Sequence, residues 1–208
     1  IDEFCSKANI SQNNLFLAAT SFVINKFVYN RDTLIATITN GRFNPNQQKT
    51  LAMMVKTLPL ALKLNSDSSL KDYFDYVNGE WLNVLSYSSY PLTEISNEYG
   101  ITPEILYAYH GKIIEDIEIG GMNVERQSID YEGLKFKINI NVVDVGDQYR
   151  IFCEYNDQLY SKTLIDTFLN CIRIVLNKFQ SFDEKTLMKD ISIIENDDWG
   201  VDDLEYDE

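Results

Sequence analysis

The stretch Lys135-Phe136-Lys137-Ile138-Asn139-Ile140-Asn141-Val142 fixes the class of fold to which this chain belongs. Its apolar residues, Phe136, Ile138, Ile140 and Val142, fall on every second position. A period of two is that of an extended strand with one dry and one wet face. Val145-Gly146-Asp147 then turns the chain into 149–155, which predicts an antiparallel hairpin. Immediately after it the period changes. Ser161 is an N-cap, and Leu164, Ile165, Phe168, Ile172, Val175, Leu176 and Phe179 lie on one side of a long helix.

Helical and extended signals also mix upstream of the hairpin. Ser11 caps a helix predicted over about 12–28, with Leu15, Phe16, Ala19, Phe22, Val23 and Phe27 buried. The run 33–39 is apolar or β-branched on both faces and reads as a covered central strand. Asn40-Gly41-Arg42 ends it, and the polar stretch 43–49, with Pro45 inside, reads as a loop. A second apolar segment runs over 51–64, where Pro59 demands a strand edge or a bend. Asp67-Ser68-Ser69 caps a helix with the stripe Leu70, Phe74, Val77, Trp81, Val84 and Leu85. Tyr90-Pro91 makes a corner, with Pro91 at the first position of a short helix. A short strand follows over 104–109. From Gly111 to Gly133 no period emerges, and this stretch reads as a long excursion. The sum is an α/β fold: a two-layer sandwich of a mixed β-sheet with helices packed on it.

Composition narrows the function classes. The 208 residues are 45% hydrophobic, enough for one sizeable core, and no stretch approaches the ~20 apolar residues of a membrane span. There are 32 acids against 18 bases, for a net charge of −14. Eight of the acids and no base lie between Glu195 and Glu208, so 195–208 is expected to be an acidic linker and 1–194 the folded unit. No concentrated basic face is visible, which disfavours a nucleic-acid partner. The cysteines, Cys5, Cys153 and Cys171, are odd in number and far apart. No disulfide framework or metal-ligand spacing is present, and Cys153 and Cys171 read as small core residues of a protein from a reducing cytoplasm.

The chemistry-bearing residues are few. His110 is the one histidine, and next to Gly111 at a strand end it reads as a surface or cap residue. No serine or cysteine nucleophile with a base and an orienting partner can be assembled around it. Gly120-Gly121 is too short to cradle phosphate. No catalytic residue and no metal site is expected in this chain.

A family resemblance runs in order along 10–194. Ile10-Ser11-Gln12-Asn13-Asn14-Leu15, Tyr29-Asn30-Arg31-Asp32 and Ile38-Thr39-Asn40-Gly41-Arg42 resemble the capped helix, the turn and the strand ending in Gly-Arg of nonribosomal peptide synthetase condensation domains. Val55-Lys56-Thr57-Leu58-Pro59-Leu60-Ala61 is similar to that family's Val-Asn-Thr-Leu-Pro-Leu-Arg. Tyr87-Ser88-Ser89-Tyr90-Pro91-Leu92 is similar to its His-Gln-Asp-Tyr-Pro-Phe, and Glu154-Tyr155-Asn156-Asp157-Gln158-Leu159-Tyr160 to its Glu-Tyr-Asn-x-x-Leu-Phe. Ala52 replaces a glycine, Lys56 an asparagine and Ala61 an arginine; the Arg-Asp-x-Ser-Arg block is not recognisable near Tyr99-Gly100-Ile101-Thr102.

The resemblance implies one lobe, the C-terminal one, of a two-lobed chloramphenicol-acetyltransferase-like fold. The His-His-x-x-x-Asp-Gly motif of such domains lies in the N-terminal lobe, and amide bonds form in a tunnel between the lobes. The partners implied are that N-terminal lobe, an adjacent adenylation domain, and upstream and downstream peptidyl carrier domains. Phosphopantetheine would be carried by the carriers and not bound as a cofactor of this chain. Arg42, Lys56, Thr57 and Leu58 are the expected tunnel residues, and Gly41, Pro59, Tyr90 and Pro91 the expected structural positions. The excursion 111–133 is the expected latch across to the other lobe. The departures leave open a second reading, a non-catalytic condensation-like module used for carrier docking or scaffolding.

Overall fold

A computed structural model describes residues 1–30, 32–112, 117–124 and 133–195. The segment 196–208, most of the expected acidic linker, lies outside the described residues, as do 113–116 and 125–132 of the expected latch.

Five strands form one mixed sheet: β1 (Asp32–Thr39), β2 (Lys56–Lys63), β3 (Ile105–Lys112), and, further along the chain, Ile138–Asp144 and Tyr149–Tyr155. Between β3 and that hairpin, β4 (Ile117–Ile119) and β5 (Met122–Val124) pair as a separate two-stranded ribbon, so the hairpin strands are β6 and β7. The order across the large sheet is β2-β1-β3-β6-β7. The three inner strands β1, β3 and β6 run parallel, and antiparallel β2 and β7 close the two edges. Pro59 stands opposite Ala36 in the edge strand β2, where its missing N–H costs no bond on the solvent side.

Helices α1 (Asp2–Ala8), α2 (Gln12–Val28), α4 (Leu70–Ser86) and α6 (Lys162–Ser181) supply the second layer, and α2, α4 and α6 pack on the sheet and on one another. Each long helix starts where a serine hydroxyl accepts from a backbone N–H in the first turn: Ser11 from Asn14, Ser69 from Asp72, Ser161 from Leu164. Phe179 joins the layer, its ring lying 5.3 Å from Phe74, 6.0 Å from Phe22 and 6.5 Å from Tyr73. Two buried tyrosine hydroxyls are matched: Tyr73 donates to the Ala18 carbonyl and Tyr107 to the Asn13 carbonyl, tying α4 and β3 to α2. A strap before the chain's end seals α4, whose Leu70 and Lys71 amides donate to the Thr186 and Glu184 carbonyls.

The α/β sandwich expected from the sequence is the fold found, and α2 has the expected bounds. Several local expectations are corrected. The stretch 43–49 holds one helical turn, α3 (Pro45–Gln48), because Asn44 and Gln47 close a capping box around it. Of the apolar segment 51–64, only Lys56–Lys63 is strand; Leu51 and Met53 are exposed, at the rim of a loop. Leu164, in the first turn of α6, is exposed, and the helix buries its neighbour Ile165 instead. Pro91 caps α5 (Leu92–Tyr99) one position before its first residue. Finally, 111–133 is not patternless: Gly111 and Lys112 extend β3, and Gly120 and Gly121, both at positive φ, turn the ribbon.

Candidate functional site: the open sheet face and its carboxyl edge

Side chains alternate across the sheet, so the register sorts them into two faces. Leu60, Leu62, Tyr107, Ile140 and Val142 enter the core with the helices. On the opposite face stand Thr57, Pro59, Ala36, Ile38, Leu106, Ala108, His110, Asn141, Val143 and Phe152, brought level by the pairings Ala36↔Pro59, Ala36↔Leu106, Ala108↔Asn141 and Asn141↔Phe152. Phe152 is 40% exposed, whereas Ala36, Ala108, Val143 and Asn141 are buried. The long helices α2, α4 and α6 bury their apolar side chains against the other face, and α5 lies at the β2 edge, lining clefts with Thr57 and Pro59. In open α/β sheets ligands collect outside the carboxyl ends of the parallel strands. Here those ends lead into the 40–55 loop, the 113–133 excursion and the 145–148 turn.

The 40–55 loop is held rigidly. Arg42 spends its guanidinium on three main-chain carbonyls of the loop itself, those of Gln47, Thr50 and Ala52, the last two at 2.8 Å. Gly41 has φ +66°, and a Cβ there would stand 2.0 Å from the Met54 carbonyl oxygen. Only glycine fits that close approach. The loop thus presents Leu51 and Met53 outward on a fixed backbone.

Lys56 and Leu58 share the helix-side parity of β2, whereas Thr57 stands on the open face. The Lys56 ammonium donates to the Ser88 carbonyl at 3.1 Å, bracing the strand's start against the corner after α4. Tyr90 donates from its hydroxyl to Glu98 at 3.0 Å, and Pro91 starts α5. The four expected tunnel residues are therefore not one cluster: Arg42 shapes the loop, Lys56 and Leu58 stand behind the sheet, and Thr57 faces the open side.

Sequence reasoning missed the polar pair on this face. His110 is exposed at the end of β3, and its Nε2 lies 2.9 Å from Oδ1 of Asn141, which is 8% exposed. The two are 31 positions apart, so only the strand register reveals them. Burial pushes the Cys5 and Cys153 thiols up to about 11, away from thiolate chemistry. No cluster of metal-ligating side chains occurs among the described residues, and no helix there is long and apolar enough to cross a membrane.

The comparisons with known proteins bear on what such a face does. The sequence model of the condensation domain family matches residues 1–192. The chain belongs to that family. Similar relatives are the malpinin synthetase of Mortierella alpina, 21% identical over 177 residues, and bacitracin synthase 2 of Bacillus licheniformis, 21% identical over 192. They align with 81% and 88% of this chain but with only 2% and 7% of their own lengths. Among solved structures, the first condensation domain of the CDA synthetase superposes with a TM-score of 0.75 at 15% identity, covering 93% of this chain and 45% of that one. A four-domain nonribosomal peptide synthetase bound to AMP and glycine superposes at 0.79 and 13% identity, covering 93% of this chain and 16% of that one. At such identities the likeness is one of fold. This condensation-domain chain thus spans under half the length of the solved condensation domain it matches, and a small fraction of the curated relatives.

Proposed function

We propose that this chain is the C-terminal lobe of a nonribosomal peptide synthetase condensation domain, residues 1–194, with 195–208 as the acidic linker toward an adenylation domain. In the parent domain it forms one wall of the tunnel in which an amide bond joins two carrier-bound aminoacyl or peptidyl thioesters. The observation that carries this reading is the sheet face turned away from the long helices α2, α4 and α6, beside loops that leave the carboxyl ends of three parallel strands, in a chain that covers 45% of a solved condensation domain. A sheet face with Phe152 and Leu106 on it requires a covering layer.

Within this reading Thr57 belongs to the wall. The Arg42-clamped loop forms the floor, and the excursion that contains the β4–β5 ribbon crosses to the N-terminal lobe. Lys56 and Leu58 brace the wall from behind. Peptidyl carriers bring phosphopantetheine to the two mouths, and this chain holds no cofactor of its own. The reacting amine is positioned by the other lobe's histidine motif, so this chain alone is inert.

The test is reconstitution. The chain, the N-terminal lobe of its parent domain, and donor and acceptor carriers loaded as thioesters should together yield condensed product, and neither lobe alone should. Product from this chain alone contradicts the proposal. Binding of the two lobes without any product favours the second reading, a non-catalytic docking module, which the lysine at position 56 also suits.

A further inference from the structure

The pair His110–Asn141 has a geometry that a casual surface contact lacks. Asn141 is buried, only 8% exposed, and its Nδ2 faces the Asn139 carbonyl at 3.5 Å while its Oδ1 faces His110 Nε2 at 2.9 Å. An amide so turned offers the imidazole an acceptor, so Nε2 must carry the hydrogen. In the neutral ring the remaining nitrogen, Nδ1, then holds a lone pair. An asparagine that fixes the tautomer of a histidine is an arrangement that enzymes use to keep one ring nitrogen available. His110 also stands at the carboxyl end of an inner parallel strand, on the open face, among aliphatic neighbours Ala108 and Val143.

From this geometry we infer that His110 is a ligand-binding residue: its Nδ1 accepts a hydrogen bond from an N–H of the carrier-borne chain that passes over the open sheet face. The ligand class is an extended, amide- or amine-bearing chain, since the Nδ1 lone pair of the neutral ring accepts from a donor and offers no hydrogen to a carboxylate or phosphate. Asn141 is a positioning residue that acts through the ring. The inference rests on the reading of this face as a tunnel wall.

Two measurements test it. In this chain His110 is the one histidine, so nitrogen-15 imidazole spectra report it without overlap. They should show the Nε2–H tautomer at neutral ring charge, and Asn141→Leu should convert it to a mixture. A mixed or Nδ1–H tautomer in the unchanged protein overturns the inference. In the parent two-lobe domain, with the His110 signal identified by its loss in His110→Gln, pantetheine and an aminoacyl pantetheine thioester are added in turn. A shift with pantetheine places the contact on the arm's amides, and a shift only with the aminoacyl form places it on the amine. No shift with either, in a domain that binds both, overturns the inference and leaves the lobe assignment standing. Failure of this chain to associate with the other lobe removes both.

Discussion

The hydroxyl of Tyr149, the first residue of β7, stands 2.6 Å from a carboxylate oxygen of Asp2, 147 positions earlier in the chain. Gln12 donates to the same oxygen at 3.2 Å. This is how the first helix is fastened to the sheet: α1 starts at Asp2, lays Cys5 into the core, and is pinned by a charged hydrogen bond at its acidic first turn. The Tyr149 hydrogen bond, and secondarily that of Gln12, lowers the Asp2 carboxyl below the ordinary carboxylate range.

The sign of the pH dependence follows. With the native value below the unfolded one, the native state binds fewer protons, and the contribution is complete above about pH 4 and lost as pH falls through the native value. Tyr149→Phe removes most of that contribution at every pH. With the rest of the fold intact, α1 should already be less protected at neutral pH, and its protection should depend less on pH below about 4. Hydrogen exchange of residues 2–8 from about pH 2 to neutrality reads this. Identical profiles for the two proteins would mean that α1 is held by Cys5 and Phe4 alone.

Gly41 and Arg42 separate conformation from clamping. Gly41→Ala must place a methyl against the Met54 carbonyl at positive φ, so a loss of at least about 1 kcal/mol in folding free energy is expected. Arg42→Ala frees three loop carbonyls that water can satisfy, so its melting temperature should change little while protease cleavage within 43–55 accelerates. Denaturant melts and timed proteolysis of both variants measure the difference. Equal global loss from both would show that the loop belongs to the core.

Phe179 sits where α2, α4 and α6 meet and is fully buried. Truncation to alanine removes its apolar surface and leaves a cavity that three helices cannot all collapse into. A loss of about 3–5 kcal/mol is expected, against under about 0.5 kcal/mol for a change at exposed Leu164 on the same helix. Denaturation midpoints of the two variants check the contrast.

Lys56 stands at the family's asparagine position and donates to the Ser88 carbonyl. Lys56→Asn shortens the donor and should loosen the 87–91 corner and the start of β2. Under the proposed function, the condensation rate of the parent domain should then change by at least roughly tenfold, or about 1.4 kcal/mol in the barrier. An unchanged rate would limit Lys56 to local bracing.

What the sequence revealed and what it hid divide along physical lines. Ser11, Ser69 and Ser161 mark helix starts because capping is local, and the strands β6 and β7 show because their alternation is local. The turn at Gly120-Gly121 was hidden within the excursion, because its two three-residue strands are too short for a period to declare itself. The role of Arg42 was hidden, because its partners are main-chain carbonyls that any sequence supplies. Leu51 and Met53 fall in the apolar segment 51–64 yet are exposed, since hydrophobicity says nothing of whether the covering layer is in the same segment. The pair His110–Asn141 depends on the parallel register of β3 and β6, which no single segment encodes.

The central claim is that the sheet face turned away from α2, α4 and α6 meets the other half of a condensation domain. Hydroxyl-radical footprinting reads it side chain by side chain, with the N-terminal lobe of the parent domain added to this chain. The account predicts that Phe152 and His110 on the open face and Leu51 and Met53 on the clamped loop become protected, while Leu164 and Leu159 stay as reactive as before. Protection of Leu164 and Leu159 with Phe152 unchanged would contradict it.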